Sequence, residues 1–179
     1  MTIRIQTAAV MLATLICGAL AAPVIAGEPD ASSPPTVTLE TLAPLVGVWR
    51  DRDAPEATNL ISFEWTANQT VLVETWMVNG NKRSLTLYHQ DGDALLATHY
   101  CPQGNQPRLK MTESSTPTLI NFTFQDATNL DSPTDNHQHS LSLTLPSPGT
   151  DFIRREMYLS EKGEDHSTRT LVQVSTKPE

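Results

Sequence analysis

The chain has 179 residues, with 12 Lys+Arg against 20 Asp+Glu and a formal charge of −8. No basic stripe exists to neutralise phosphates, which argues against nucleic acid, and the same balance argues against anionic membrane surfaces. Length alone points to one folded domain.

The first residues read as a targeting segment rather than as fold. Arg4 supplies a positive start, Ala8 to Ala22 is apolar with many small residues, and Val24-Ile25-Ala26 fits the small-x-small cleavage rule. We expect a signal peptide over 1–26, a cut after Ala26 and a secreted or periplasmic product. The run is too short to favour a retained anchor, so no membrane insertion is expected after cleavage. Losing Arg4 leaves eleven basic against twenty acidic residues, a net charge of −9. It also leaves Cys101 as the single cysteine, so no internal disulfide can form. Such a cysteine is either a small buried hydrophobe or, where chemistry needs it, a ligand or nucleophile.

Residues 27–38 form a leader rich in Pro, Ser and acidic groups. Leu39, Leu42, Leu45 and Val46 then recur at helical spacing behind a Thr38 cap, while Pro44 limits them to a short turn placed to plug a barrel end. From Gly47 onward the period becomes two. Leu141, Leu143 and Leu145 alternate with Ser140, Ser142 and Thr144, and Ile120, Phe122 and Phe124 alternate with polar neighbours. Turn signals separate ten expected strands: 47–50, 57–65, 70–78, 83–90, 93–101, 106–114, 118–125, 137–145, 151–160 and 167–176. Because no amphipathic helix intervenes, the expected fold is all-β: an antiparallel up-and-down barrel of eight to ten strands over 39–179.

The first strand carries Leu42-x-x-Leu45-x-Gly47-x-Trp49. It resembles the opening of lipocalin-like and nitrobindin-like heme-binding barrels, where a Gly-x-Trp packs over the closed end. The run Thr98-His99-Tyr100-Cys101, with Gly104-Asn105-Gln106-Pro107-Arg108, Asp126 to Leu130 and His137-x-His139, resembles exported bacterial β-barrel proteins of unassigned chemistry. The resemblance implies a lipocalin-like barrel with a ligand in its lumen. Asp51 and Asp53 stand where the heme-binding barrels continue with glycine, which makes heme the weaker cofactor.

Strand directions place His99, Cys101, His137 and His139 at the barrel end opposite the Asp91-Gly92 turn, with His89 apart from them. A three-residue loop, Gln90 to Gly92, would oppose His89 to Asp93 and put Leu85, Leu87, His89, Leu95, Ala97, His99 and Cys101 on one face. His166 falls in an expected loop, 161–166, and the one long loop, 126–136, lies at the same end. Three uses of the cluster stay open: hydrogen-bonded lining, a divalent-metal site such as zinc on His99, Cys101, His137 and His139, or catalysis by a Cys-His or His-His pair in a hydrolase or isomerase. Asn105, Gln106 and Arg108 at that end can offer donors to an anionic or carbonyl ligand, or can serve their own loop. No nucleophile elbow or phosphate loop favours an enzyme. The expectation is therefore an exported protein that binds a small molecule, with a metal- or heme-binding protein as the alternative.

Overall fold

The computed structural model describes residues 36–148 and 150–176. The expected signal peptide and residues 27–35 of the leader lie outside the described residues. Ten antiparallel strands close into a barrel: β1 (Gly47–Asp51), β2 (Leu60–Thr66), β3 (Val71–Val78), β4 (Asn81–Asp91), β5 (Ala94–Tyr100), β6 (Gln106–Met111), β7 (Leu119–Thr128), β8 (His137–Thr144), β9 (Phe152–Ser160) and β10 (Gly163–Ser175). Each strand pairs with its neighbours in sequence, and β1 closes the ring on β10. Closure leaves no free sheet edge, which removes the pairing hazard of open sheets.

A 3₁₀ turn, Leu39–Leu45, stops one end of the barrel. Leu39, Leu42 and Leu45 are buried, the Leu39 N–H donates to Gln90 Oε1, and the Trp49 indole donates to the Leu45 carbonyl at 2.6 Å. Gln90 is the penultimate residue of β4, so the plug sits at the end of the Asp91-Gly92 turn. Beneath it the lumen is filled. Trp49 and Phe63 each pack edge-on against Phe152, with centroids 5.4 and 5.7 Å apart, and Tyr88 packs on Phe122. Gly47 has a physical reason. Its φ is +130°, and a Cβ there would stand 2.5 Å from the Ser175 carbonyl oxygen. Only glycine lets β1 leave the plug and meet β10 at once.

The structure corrects the β4–β5 register. Asp91 pairs with Ala94 across a two-residue Gly92-Asp93 turn, so His89 opposes Leu96 rather than Asp93. Gly92 takes φ +57° at the first central position, as tight hairpin turns favour. The one-residue change turns Leu85, Leu87 and His89 to the opposite face from Leu95, Ala97 and His99. The inward row of β4 is instead Thr86 and Tyr88, both fully buried. Two loops are shorter than expected. Strand β7 continues to Thr128, so only 129–136 connect it to β8. Strand β10 begins at Gly163, which places His166 on a strand rather than in a loop.

Candidate functional site

The end opposite the plug is built differently. Inward positions there carry polar and charged side chains: Glu74 on β3, and Arg154, Glu156 and Tyr158 on β9, at the same parity as Phe152. Glu74 is fully buried and accepts from the Trp76 indole at 2.5 Å, the Tyr88 hydroxyl at 2.5 Å and Arg154 Nε at 3.1 Å. Arg154 Nη1 reaches Glu156 Oε2 at 2.6 Å, and its guanidinium lies over Trp76, 5.0 Å from the ring centroid. Glu156 is further held by Gln138 Nε2 at 3.0 Å and by the Ser167 hydroxyl at 3.2 Å. A buried cation between two carboxylates is stable only with this degree of hydrogen bonding.

The titration behaviour follows from that packing. Burial works against the charged guanidinium of Arg154, but Glu74 and Glu156 outweigh it and keep it charged. Burial likewise pushes the Glu156 carboxyl up, yet Arg154 holds it below the ordinary carboxylate range. His99 is 2% exposed. Burial, reinforced by Arg154, lowers its pKa to about 4, so its imidazole is neutral at pH 7. Its two nitrogens meet Thr86 Oγ1 at 3.0 Å and the Tyr158 hydroxyl at 3.2 Å. Thr86 is its cross-strand partner on β4, whereas Tyr158 comes from β9 across the lumen. Two polar bridges thus cross the barrel, Glu74–Arg154 and His99–Tyr158.

Above this floor opens a cleft of about 330 Å³ lined by Trp76, Arg83, Ser84, His99, Pro102, Gln103, Arg154, Glu156 and Tyr158. The volume is at the small end of ligand sites. A hollow of about 440 Å³ at the plug end is lined by loop and plug residues such as Thr38, Glu40 and Asp93, without the buried charges.

The expected site residues separate into three groups. His99 belongs to the cleft. Cys101 stands beside it, hydrogen-bonded to Tyr158 and Gln103. It is buried, and burial raises its thiol pKa, which fits a small core residue more than a nucleophile. His137 and His139 form a second group. His137 Nε2 and His139 Nδ1 are 3.1 Å apart, and both rings pack on Phe124. A bulge between Gln138 and Ser140 breaks the β8–β9 register, and Gln138, between the two histidines, is the residue that reaches Glu156. Among the described residues, no three or more His, Cys, Asp or Glu are grouped to hold a metal ion, so the four-ligand set His99, Cys101, His137 and His139 is not assembled.

The third group serves its own loops. Asn105 is buried and donates to the Asn136 carbonyl at 2.9 Å, and Gln106 binds the Gly104 carbonyl and the Thr128 hydroxyl. Arg108 forms a two-pronged pair with Asp126 at 2.5 and 2.6 Å on the surface. His89 lies on β4, and His166 pairs with Glu164 on the exposed start of β10.

Sequence reasoning missed Trp76, Glu74, Arg154, Glu156 and Tyr158. A signal existed. Glu74 interrupts Val71 to Val78 at the parity of Leu72, and Arg154-x-Glu156 follows Phe152 at its parity. Charges at inward parity mark a polar lumen or an ion pair. On β9 the outward row Ile153, Met157 and Leu159 masks that signal by looking more apolar.

No known family model matches the chain, and no curated protein shows significant similarity to it.

Proposed function

We propose that the protein is exported and binds a small polar molecule at the open mouth of the barrel. The observation that carries this reading is the cleft over the Glu74–Arg154–Glu156 floor. Most of the lumen between the plug and this floor is occupied by side chains, and the cleft at the mouth sets Tyr158, Arg83, Ser84 and Gln103 beside Trp76 and Pro102 as hydrogen-bonding groups, with the His99 nitrogens already engaged by Thr86 and Tyr158. Tyr158 is held on β9 by its bond to His99, and the Arg154–Glu156 floor is held by Glu74, Gln138 and Ser167, so this part of the site needs little reorganisation on binding. Export is supported by the apolar N-terminal run and the Val24-Ile25-Ala26 cut. Charged positions Glu64, Lys110 and Arg155, alternating with inward residues, support a barrel whose outside meets water rather than lipid.

The test is direct. Protein purified from its producing cells is examined by native mass spectrometry for a retained small molecule, and the molecule is titrated back calorimetrically. Tyr158→Phe and Arg83→Ala are expected to weaken binding at least several-fold, while Arg108→Ala leaves it unchanged. A retained molecule whose affinity ignores Tyr158 and Arg83 would overturn the assignment to this cleft.

A further inference from the structure

We propose that His137 and His139 form a two-imidazole chelate for a borderline divalent cation, Zn²⁺ or Cu²⁺, independent of the cleft. Three observations carry it. The first is the bite. His137 Nε2 and His139 Nδ1 lie 3.1 Å apart. Two imidazoles on one tetrahedral zinc, at ~2.0–2.1 Å each, stand roughly 3.3 Å apart. Capture of an ion therefore asks for ring reorientation, not backbone movement.

The second is the tautomer. His137 Nδ1 is 2.6 Å from the Asp135 carbonyl oxygen, which can only accept, so Nδ1 carries the proton and the Nε2 lone pair faces His139. A ligating histidine characteristically has its other nitrogen fixed in this way. In the empty protein His139 Nδ1–H donates to that lone pair. With the cation bound, His139 carries its proton on Nε2 and turns the Nδ1 lone pair to the metal, so no net proton is lost.

The third is the support. The Phe124 ring lies parallel to His139 at 16° and 5.3 Å, and 4.6 Å from His137, which limits the rotations open to both. The two rings sit on one short stretch of β8 beside the bulge. His137 is 1% exposed, and His139 is half-buried, so the ion reaches the pair from the His139 side. The protein offers two nitrogen donors, and water fills the remaining positions. Two neutral imidazoles select zinc and copper over magnesium or calcium, which prefer oxygen.

The experiment uses tag-free protein at neutral pH. Cu²⁺ is added to one equivalent and the electron paramagnetic resonance spectrum is read for nitrogen coupling. In parallel, the melting temperature is followed with rising Zn²⁺. We expect two coupled nitrogens in the wild type and a Zn²⁺-dependent rise in melting temperature. Both should be lost in His139→Ala, while His89→Ala and His166→Ala keep them. If His139→Ala folds poorly, the wild-type spectrum still decides. Fewer than two coupled nitrogens at one equivalent, or a zinc response that survives His139→Ala in folded protein, would overturn the chelate and leave the cleft assignment untouched.

Discussion

The two ends of this barrel solve closure in opposite ways. At the plug end, leucines of a 3₁₀ turn and the rings of Trp49, Phe63 and Phe152 fill the lumen by shape. At the mouth, Glu74, Arg154 and Glu156 fill it by charge and hydrogen bonds. Apolar packing is tolerant of imperfect partners and adds stability in proportion to buried area. A buried charge network adds little net stability when complete and costs heavily when broken. The plug end is therefore the part of the molecule that holds the fold. The mouth is the part whose expense needs another explanation, and a ligand site supplies one.

The sharpest way to break that contrast is Arg154→Met. It leaves Glu74 and Glu156 buried without their cation, and the expected loss is ~3–5 kcal/mol in urea unfolding. Adding Glu74→Gln should restore part of it. A purely additive double mutant would mean that the two ends do not differ in this way. At the plug, Trp49→Ala removes a buried ring and its bond to Leu45, with an expected loss of about 3–5 kcal/mol. No second mutation at a charged residue should rescue it. Unfolding measurements on both series place the two ends side by side.

Acid sharpens the contrast further. His99 titrates near 4 in the folded protein, because burial and then Arg154 oppose its cation. In the unfolded chain it titrates near 6.5. Between those values the unfolded chain holds a proton that the folded chain does not, so stability rises with pH. Its contribution is fully present above pH ~6.5 and is lost as pH falls toward 4. His99→Gln should flatten that part of the stability profile measured from pH 4 to 7, and an unchanged slope would contradict a buried neutral His99. The smallest effect belongs to the surface pair Arg108–Asp126. Solvent screens it, so Arg108→Ala should leave the melting temperature within error.

How much of this was legible follows from the same contrast. The barrel, the plug and the inward parity of Leu95, Ala97 and His99 were readable, because alternation and turn chemistry act locally. The β4 register was not. Sorting apolar from polar residues put Leu85 and Leu87 inside, but at that level the lumen is polar and takes Thr86 and Tyr88. A rule built on hydrophobic interiors fails where the interior is an ion network. For the same reason the histidines drew attention while Arg154 and Glu156 did not. Which residues on β9 face Glu74 across the lumen is set by closure of the whole ring, which no local pattern records. The two histidine groups stand apart for a local reason: the β8 bulge breaks the register with β9 beside them, and Gln138 takes the contact to Glu156.

The central claim is that ligands enter by the mouth, and the three tryptophans report on it. Trp76 lines the cleft and donates its indole N–H to Glu74, while Trp49 donates to Leu45 at the plug and Trp65 packs against the apolar core. A nitrogen–proton correlation spectrum recorded during titration with the retained molecule, or with small hydroxyl- and amide-bearing probes, resolves the indoles. The Trp76 signal should move with ligand concentration while that of Trp49 stays in place. Movement of Trp49 with Trp76 unmoved would put binding at the plug end and contradict the account.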